Sequence, residues 1–278
     1  MTATAFVLGG GGVLGAAEVG MLRALLERDI VPDVVIGTSV GAINGVAVAA
    51  EPTLDVIDPL EQLWRSTSSS NVFGASMFAR ARTFTRTRTH LHDIEPLRTL
   101  VRQYLPVTRI EDLRVRFQCV AACIETASEH WFTAGDIEDA VLASCAVPGL
   151  LPAVEVNGLH FYDGGLVNSI PVDRAAAVGA TNIYVLQVGR VEQPLTAPRG
   201  PLEVALVAFE IARRHRFARG MESLPEGCVA HVLPSGAALE FTDLSQLRYT
   251  NTARVPERIE RAYEATADYL DSLDTSKS

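Results

Sequence analysis

No run in this 278-residue chain reaches the roughly 18 apolar residues that a membrane-spanning helix needs, so a spanning role is not expected. The N-terminus, MTATAFVLGGGG, lacks a basic stretch, and its apolar run stops at Gly9. It therefore reads as no secretory leader, which predicts a cytoplasmic protein that could still touch a membrane surface. Cysteine is scarce: Cys119, Cys123, Cys145 and Cys228 form no C-x-x-C pair, and no histidine stands at a metal-finger distance from them. That pattern speaks against a disulfide framework or a zinc module and for buried, inert thiols. Excess positive charge is missing too. The net charge of -9 lacks the basic footprint of a nucleic-acid binder, so no nucleic-acid partner is expected. One stretch lacks the opposite sign. Between Glu61 and Asp93 there is no acidic residue, while Arg65, Arg80, Arg82, Arg86 and Arg88 are interleaved with Met77, Phe78 and Phe84. It reads either as a solvated loop or as a mobile cap that meets an anionic lipid surface.

What is present is an apolar chain with alternating periodicities. Hydrophobic residues make up 48 % of it, enough for a large core. Residues 4–8 (TAFVL) predict a buried strand, followed by glycines and a helix with Ala17, Met21, Ala24 and Leu25 on one face. Residues 34–36 (VVI) predict a second strand, and 42–50 a buried helix rich in small residues. Two strand–tight turn–helix units in succession build parallel sheets, whose ligand sites lie at the carboxyl ends of the strands. From about 52 to 110 the pattern weakens, which suggests a cap or insertion. Further strands are expected at 116–125, 130–135 and 182–188, and helices at 139–145, 202–219 and 255–273. Basic residues Arg213, Arg214, His215 and Arg216 on the first of the long helices read as complements to its dipole. The expected organisation is one domain over 1–272 with a disordered tail at 273–278.

Three segments carry chemistry. Gly37-Thr38-Ser39-Val40-Gly41 is a G-x-S-x-G stretch between a strand and a helix. A strand that reverses sharply into a helix strains its central residue, exposes its side chain, and needs small neighbours. Ser39 then sits at a helix N-terminus, where developing negative charge is favoured. The bland alternative is a serine in an ordinary turn. Gly10, Gly12 and Gly15 match G-x-G-x-x-G. A dinucleotide loop also needs an acid after the second strand, but Asp33 precedes that strand and the elbow occupies the place. The other reading is an oxyanion hole of successive glycine N–H groups; a structural glycine turn is the alternative. A serine nucleophile needs a base. Histidines 215 and 231 follow in a Ser–Asp–His order, yet none of the six histidines has a local motif. Asp163, in Phe161-Tyr162-Asp163-Gly164-Gly165, is better placed, although D-G-G alone also fits a hairpin turn.

Taken in order, Gly10–Gly15, Gly37–Gly41 and Asp163-Gly164-Gly165 resemble the three signatures of patatin-like phospholipases. The run from Ala143 to Ala180, with its Pro148 turn and Asn168–Pro171 segment, looks like that family's stretch around its aspartate. The resemblance covers roughly residues 4–50 and 116–190. It implies a three-layer α/β/α sandwich with a mostly parallel sheet and a Ser39–Asp163 dyad that uses no histidine. It implies an oxyanion hole from the N–H groups of Gly10, Gly11 and Gly12, and motif roles for Gly15, Gly37, Gly41, Gly164 and Gly165. The substrates it implies are phospholipids, galactolipids or simpler acyl esters, with no metal or organic cofactor. One departure stands out: the family carries Arg or Lys just before the last glycine of the first motif, where this chain has Leu14.

Overall fold

A computed structural model describes residues 3–69, 83, 85–105, 107–188, 194–198, 200–236 and 255–275. Its centre is an eight-stranded, mostly parallel sheet. The strands are β1 (Thr4–Leu8), β2 (Val34–Thr38), β3 (Arg116–Cys123), β4 (Ser128–Phe132), β5 (Val154–Val156), β6 (Leu159–Asp163), β7 (Asn182–Leu186) and β8 (Val229–Val232). Hydrogen-bonded pairing follows the path β5-β6-β3-β2-β1-β7-β8, with β4 also paired to β3. Strands β3, β2, β1, β7 and β8 run parallel to one another, while β4 and β6 pair antiparallel with β3, and β5 antiparallel with β6.

Alternation along the strands divides the core in two. Phe6, Leu8 and Val35 face one side, where they pack with α1 (Ala16–Leu26), α2 (Val40–Ala50), α3 (Ile57–Ser69), α4 (Glu95–Tyr104), α5 (Ile137–Ser144) and α9 (Val255–Thr275). Ala5, Val7, Val34 and Ile36 face the other, against Ile170, α7 (Val172–Ala177) and Phe217 of α8 (Pro201–Glu222). Both faces of the central strands are thus covered, as a parallel sheet of near-continuous apolar strands requires. This is the three-layer α/β/α sandwich expected.

The strongly periodic elements lie close to where the sequence places them. The stripe on α9 is buried at Ile259, Ala262 and Leu270. In the stretch read as a cap, α3 and α4 contribute Leu60, Leu63, Trp64, Leu97, Leu100 and Val101 to the main core. Met77, Phe78, Arg80, Arg82 and Phe84 of the basic stretch lie outside the described residues. Helix α9 continues to Thr275, two residues past the expected end, and the rest of the expected tail lies outside the described residues.

Candidate active site

The register of β3 brings the elbow and the aspartate together. On β3, β2 pairs with 116–120, β4 with 119–123 and β6 with 121–123. A strand has two edges, so β4 must occupy one and β2 and β6 must share the other. They run in opposite directions along it, and their carboxyl ends meet head-on: Thr38 lies opposite Val120, and Asp163 opposite Ala121. Ser39 and Asp163, which are 124 positions apart, converge at that junction.

The Ser39 hydroxyl donates to Asp163 Oδ2 at 2.6 Å. Ser39 has φ 56 and ψ −124, a conformation costly for a side-chain-bearing residue, on the order of 1–3 kcal/mol. The elbow holds it there by tight packing. A Cβ on Gly37 would lie 2.5 Å from Gly41 O, and one on Gly41 2.3 Å from Leu8 O. Both residues are buried, Ser39 at 7 % and Asp163 at 6 % exposure. Burial raises the Asp163 carboxyl to about 6, partly offset by the Ser39 hydroxyl and by the Gly165 N–H that donates to Oδ1 at 2.7 Å. Gly164 presses on β3, since a Cβ there would lie 2.2 Å from Val120 O.

Three further groups, which the sequence reading passed over, brace this pair. Ser144, at the end of α5, accepts from Ser39 N–H at 2.9 Å and donates to Val120 O at 2.7 Å. Its own carbonyl takes the Gly164 N–H at 3.2 Å, so one residue ties the elbow, β3 and the D-G-G turn together. Thr38 Oγ1 donates to Asn168 O at 2.9 Å, linking the elbow to α6 (Gly165–Asn168). Behind the glycine loop, Asn44 Nδ2 donates to Gly15 O at 2.9 Å and to Glu18 Oε2 at 2.7 Å, and Trp64 Nε1 donates to Asn44 Oδ1 at 3.0 Å. Glu18 is fully buried, its second oxygen has no hydrogen-bond partner, and desolvation pushes its carboxyl well up. The cue for this network was a glutamate on a helix that is apolar apart from Arg23.

The glycine loop lies beside Ser39 because β1 and β2 are parallel neighbours. A Cβ on Gly10 would stand 3.5 Å from Ser39 Cβ. Gly10 differs from the oxyanion role read for it: its N–H already donates to Ser169 O at 2.9 Å. Gly11 and Gly12 open a short 3-10 turn over Gly12–Gly15, where the first N–H groups have no partner inside the turn. Gly15 packs against Val40 and Trp64. Leu14 is buried in the core, while a cation reaches the loop from α9: Arg258 Nη1 donates to Val13 O at 2.8 Å.

Neither candidate histidine lies on Ser39. His215 is exposed on α8, and a ring nitrogen of His231 pairs with the Tyr269 hydroxyl at 3.2 Å. Cys119, Cys123 and Cys145 are buried, and Cys228 is partly so. Burial pushes the Cys145 thiol well up, and the neighbouring Asp163 adds to this. Among the described residues no three His, Cys, Asp or Glu side chains gather where they could hold a metal ion, and no helix is long and apolar enough to cross a membrane.

The family model described as patatin-like phospholipase matches residues 6–176, well over half of the 278. The chain belongs to the patatin-like phospholipase family. Among curated relatives, patatin-like phospholipase domain-containing protein 7 of Rattus norvegicus is 31 % identical over 197 residues, covering 70 % of this chain and 14 % of that protein. Lysophospholipase NTE1 of Candida glabrata is 30 % identical over 198 residues, covering 68 % of this chain and 11 % of that protein. The chain thus spans only a small part of these relatives' length. The patatin-like match takes in the glycine loop, the elbow and the D-G-G segment together.

Proposed function

We propose that this patatin-like chain is a lipid acyl hydrolase that cleaves carboxylic esters of phospholipids or simpler lipids. The observation that carries the proposal is the Ser39–Asp163 contact at 2.6 Å, in a strained elbow and shielded from water. Asp163 at about 6 is ionised at neutral pH, so it can accept a proton, yet it is far more basic than an ordinary carboxylate.

Ser39 Oγ attacks the acyl carbonyl carbon as its proton passes to Asp163 Oδ2. The oxyanion that forms is met by the N–H groups of Gly11 and Gly12, each such donor contributing about 3–4 kcal/mol in comparable sites. Collapse expels the alcohol, which takes the proton from Asp163 and leaves an ester on Ser39. Asp163 then removes a proton from water, the water attacks the acyl carbon, and the fatty acid departs as Ser39 recovers its hydrogen. No histidine enters this cycle.

The test is hydrolysis of nitrophenyl acyl esters of increasing chain length by wild type, Ser39→Ala and Asp163→Asn. Both variants should lose at least about a thousandfold in kcat/KM. An active Asp163→Asn beside an inert Ser39→Ala would move the base elsewhere, and an inert wild type would leave a lipid-binding role instead.

A further inference from the structure

The described residues leave eight large apolar side chains exposed, and four of these lie on two elements next to the dyad. Leu166 is 46 % exposed, and it follows the Gly165 whose N–H holds Asp163. On α8, Val204 is 53 %, Phe209 40 % and Ile211 54 % exposed. A Cβ on Gly165 would lie 3.3 Å from the Phe209 ring, so this apolar surface runs up to the edge of the active site.

The sequence of α8 divides along its axis. From Val204 to Ala212 the only charged residue is Glu210, and Arg214 Nε holds it at 2.9 Å. Val204 and Ile211 are seven positions apart and share one face, while Phe209 looks toward α6. An exposed helix ordinarily keeps one apolar stripe and one polar face; this half is apolar on more than one side. The next seven residues, Arg213 to Arg219, hold four arginines and no acid, although Arg214 pairs with Glu210 at 2.9 Å and Arg216 Nη2 with Glu129 and Asp173 at 2.8 and 2.7 Å. Arg213 is 7 % exposed and its Nη1 has no hydrogen-bond partner, with Glu210 Oε1 3.5 Å away. His215 and Arg219 are exposed.

We propose that Val204, Phe209 and Ile211 of α8, with Leu166, form the surface by which the protein docks on a lipid–water interface. The inference rests on the lipid-hydrolase reading, since a substrate held in a bilayer must reach Ser39 from the side that meets the bilayer. The apolar side chains enter the acyl boundary, and the exposed His215 and Arg219, on the same side of the helix as Val204 and Ile211, lie at the level of the headgroups. The docking surface and the mouth of the site are continuous through Gly165, so a lipid lifted from the interface enters beside Asp163.

The experiment compares wild type with Val204→Asp/Ile211→Asp. One arm measures sedimentation with vesicles of phosphatidylcholine containing phosphatidylglycerol. The other measures turnover of a dissolved short-chain nitrophenyl ester. Vesicle partitioning should fall by roughly 30- to 100-fold, with ester turnover within twofold of wild type. A second probe avoids any folding defect: an environment-sensitive dye on Val204→Cys, in a Cys228→Ser background, should shift to the blue when vesicles are added. Unchanged sedimentation, unchanged dye emission, or an equal loss in both arms would overturn the docking surface. So would a wild-type dimer that the double variant converts to a monomer, which would assign the face to a second copy of the chain. If wild type hydrolyses no ester, the hydrolase reading fails, while the vesicle and dye measurements still decide the docking.

Discussion

Replacing Asp163 by asparagine should remove activity and raise stability together. The Asp163 carboxyl stands at about 6 in the folded chain, against 3.8 for an ordinary aspartate, because burial disfavours its charge. A group raised in this way contributes its stability below the unfolded value, near pH 4, and loses it as the pH climbs through 6. Above pH 6 the native chain carries a buried charge at a cost of about 3 kcal/mol. Asparagine has no charge to bury. Its carbonyl can still accept the Gly165 N–H and its amide can donate to Ser39 Oγ, so little hydrogen bonding is lost. The variant should melt about 6–12 °C above wild type at pH 8, at roughly 2–4 °C per kcal/mol. The advantage should shrink steadily between pH 6 and pH 4. Thermal melts of both proteins across that range, followed by circular dichroism, provide the assay. A variant no more stable than wild type at pH 8, or an advantage independent of pH, would refute the reasoning.

Other predictions follow from the same geometry. As the base must be ionised, kcat/KM of wild type on a soluble ester should fall tenfold per pH unit below about 6; a flat profile down to pH 5 would contradict this assignment. Ser144→Ala leaves the Ser39 N–H and the Val120 carbonyl without their partner, which should cost about 1–3 kcal/mol in denaturant melts and lower kcat by about tenfold. Gly41→Ala puts a methyl 2.3 Å from the Leu8 carbonyl, a backbone clash that cannot be relieved by a rotamer change. It should cost upward of about 3 kcal/mol, seen as lost soluble yield or a collapsed melting temperature, whereas Gly200→Ala, at φ −153 with open space around it, should lose far less.

Legibility in the sequence followed locality. The strand–turn–helix units at 4–26 and 34–50 were readable because each residue's role depends on its near neighbours. The elbow belongs to the same class: glycines flanking Ser39 between two periodic segments. Helix α4 went unread although Leu97, Leu100, Val101 and Tyr104 stand at helical intervals; Pro96 and five charged or polar neighbours masked the pattern. Strand β8 is four residues long, too short for an alternation to stand out. Ser144 was out of reach for a different reason. Its role arises where β2 and β6 abut on one edge of β3, and that register joins segments more than a hundred positions apart. The Gly10 assignment missed for the same reason, since its N–H is taken by Ser169 from the far side of the chain.

The most direct test of the dyad is to find the acyl group. Wild type mixed with a slowly released long-chain nitrophenyl ester, quenched in acid and digested, should carry one acyl chain on the peptide containing Ser39, and Asp163→Asn should carry none. An acyl chain on any other residue, or steady turnover with no acylated Ser39, would contradict the mechanism.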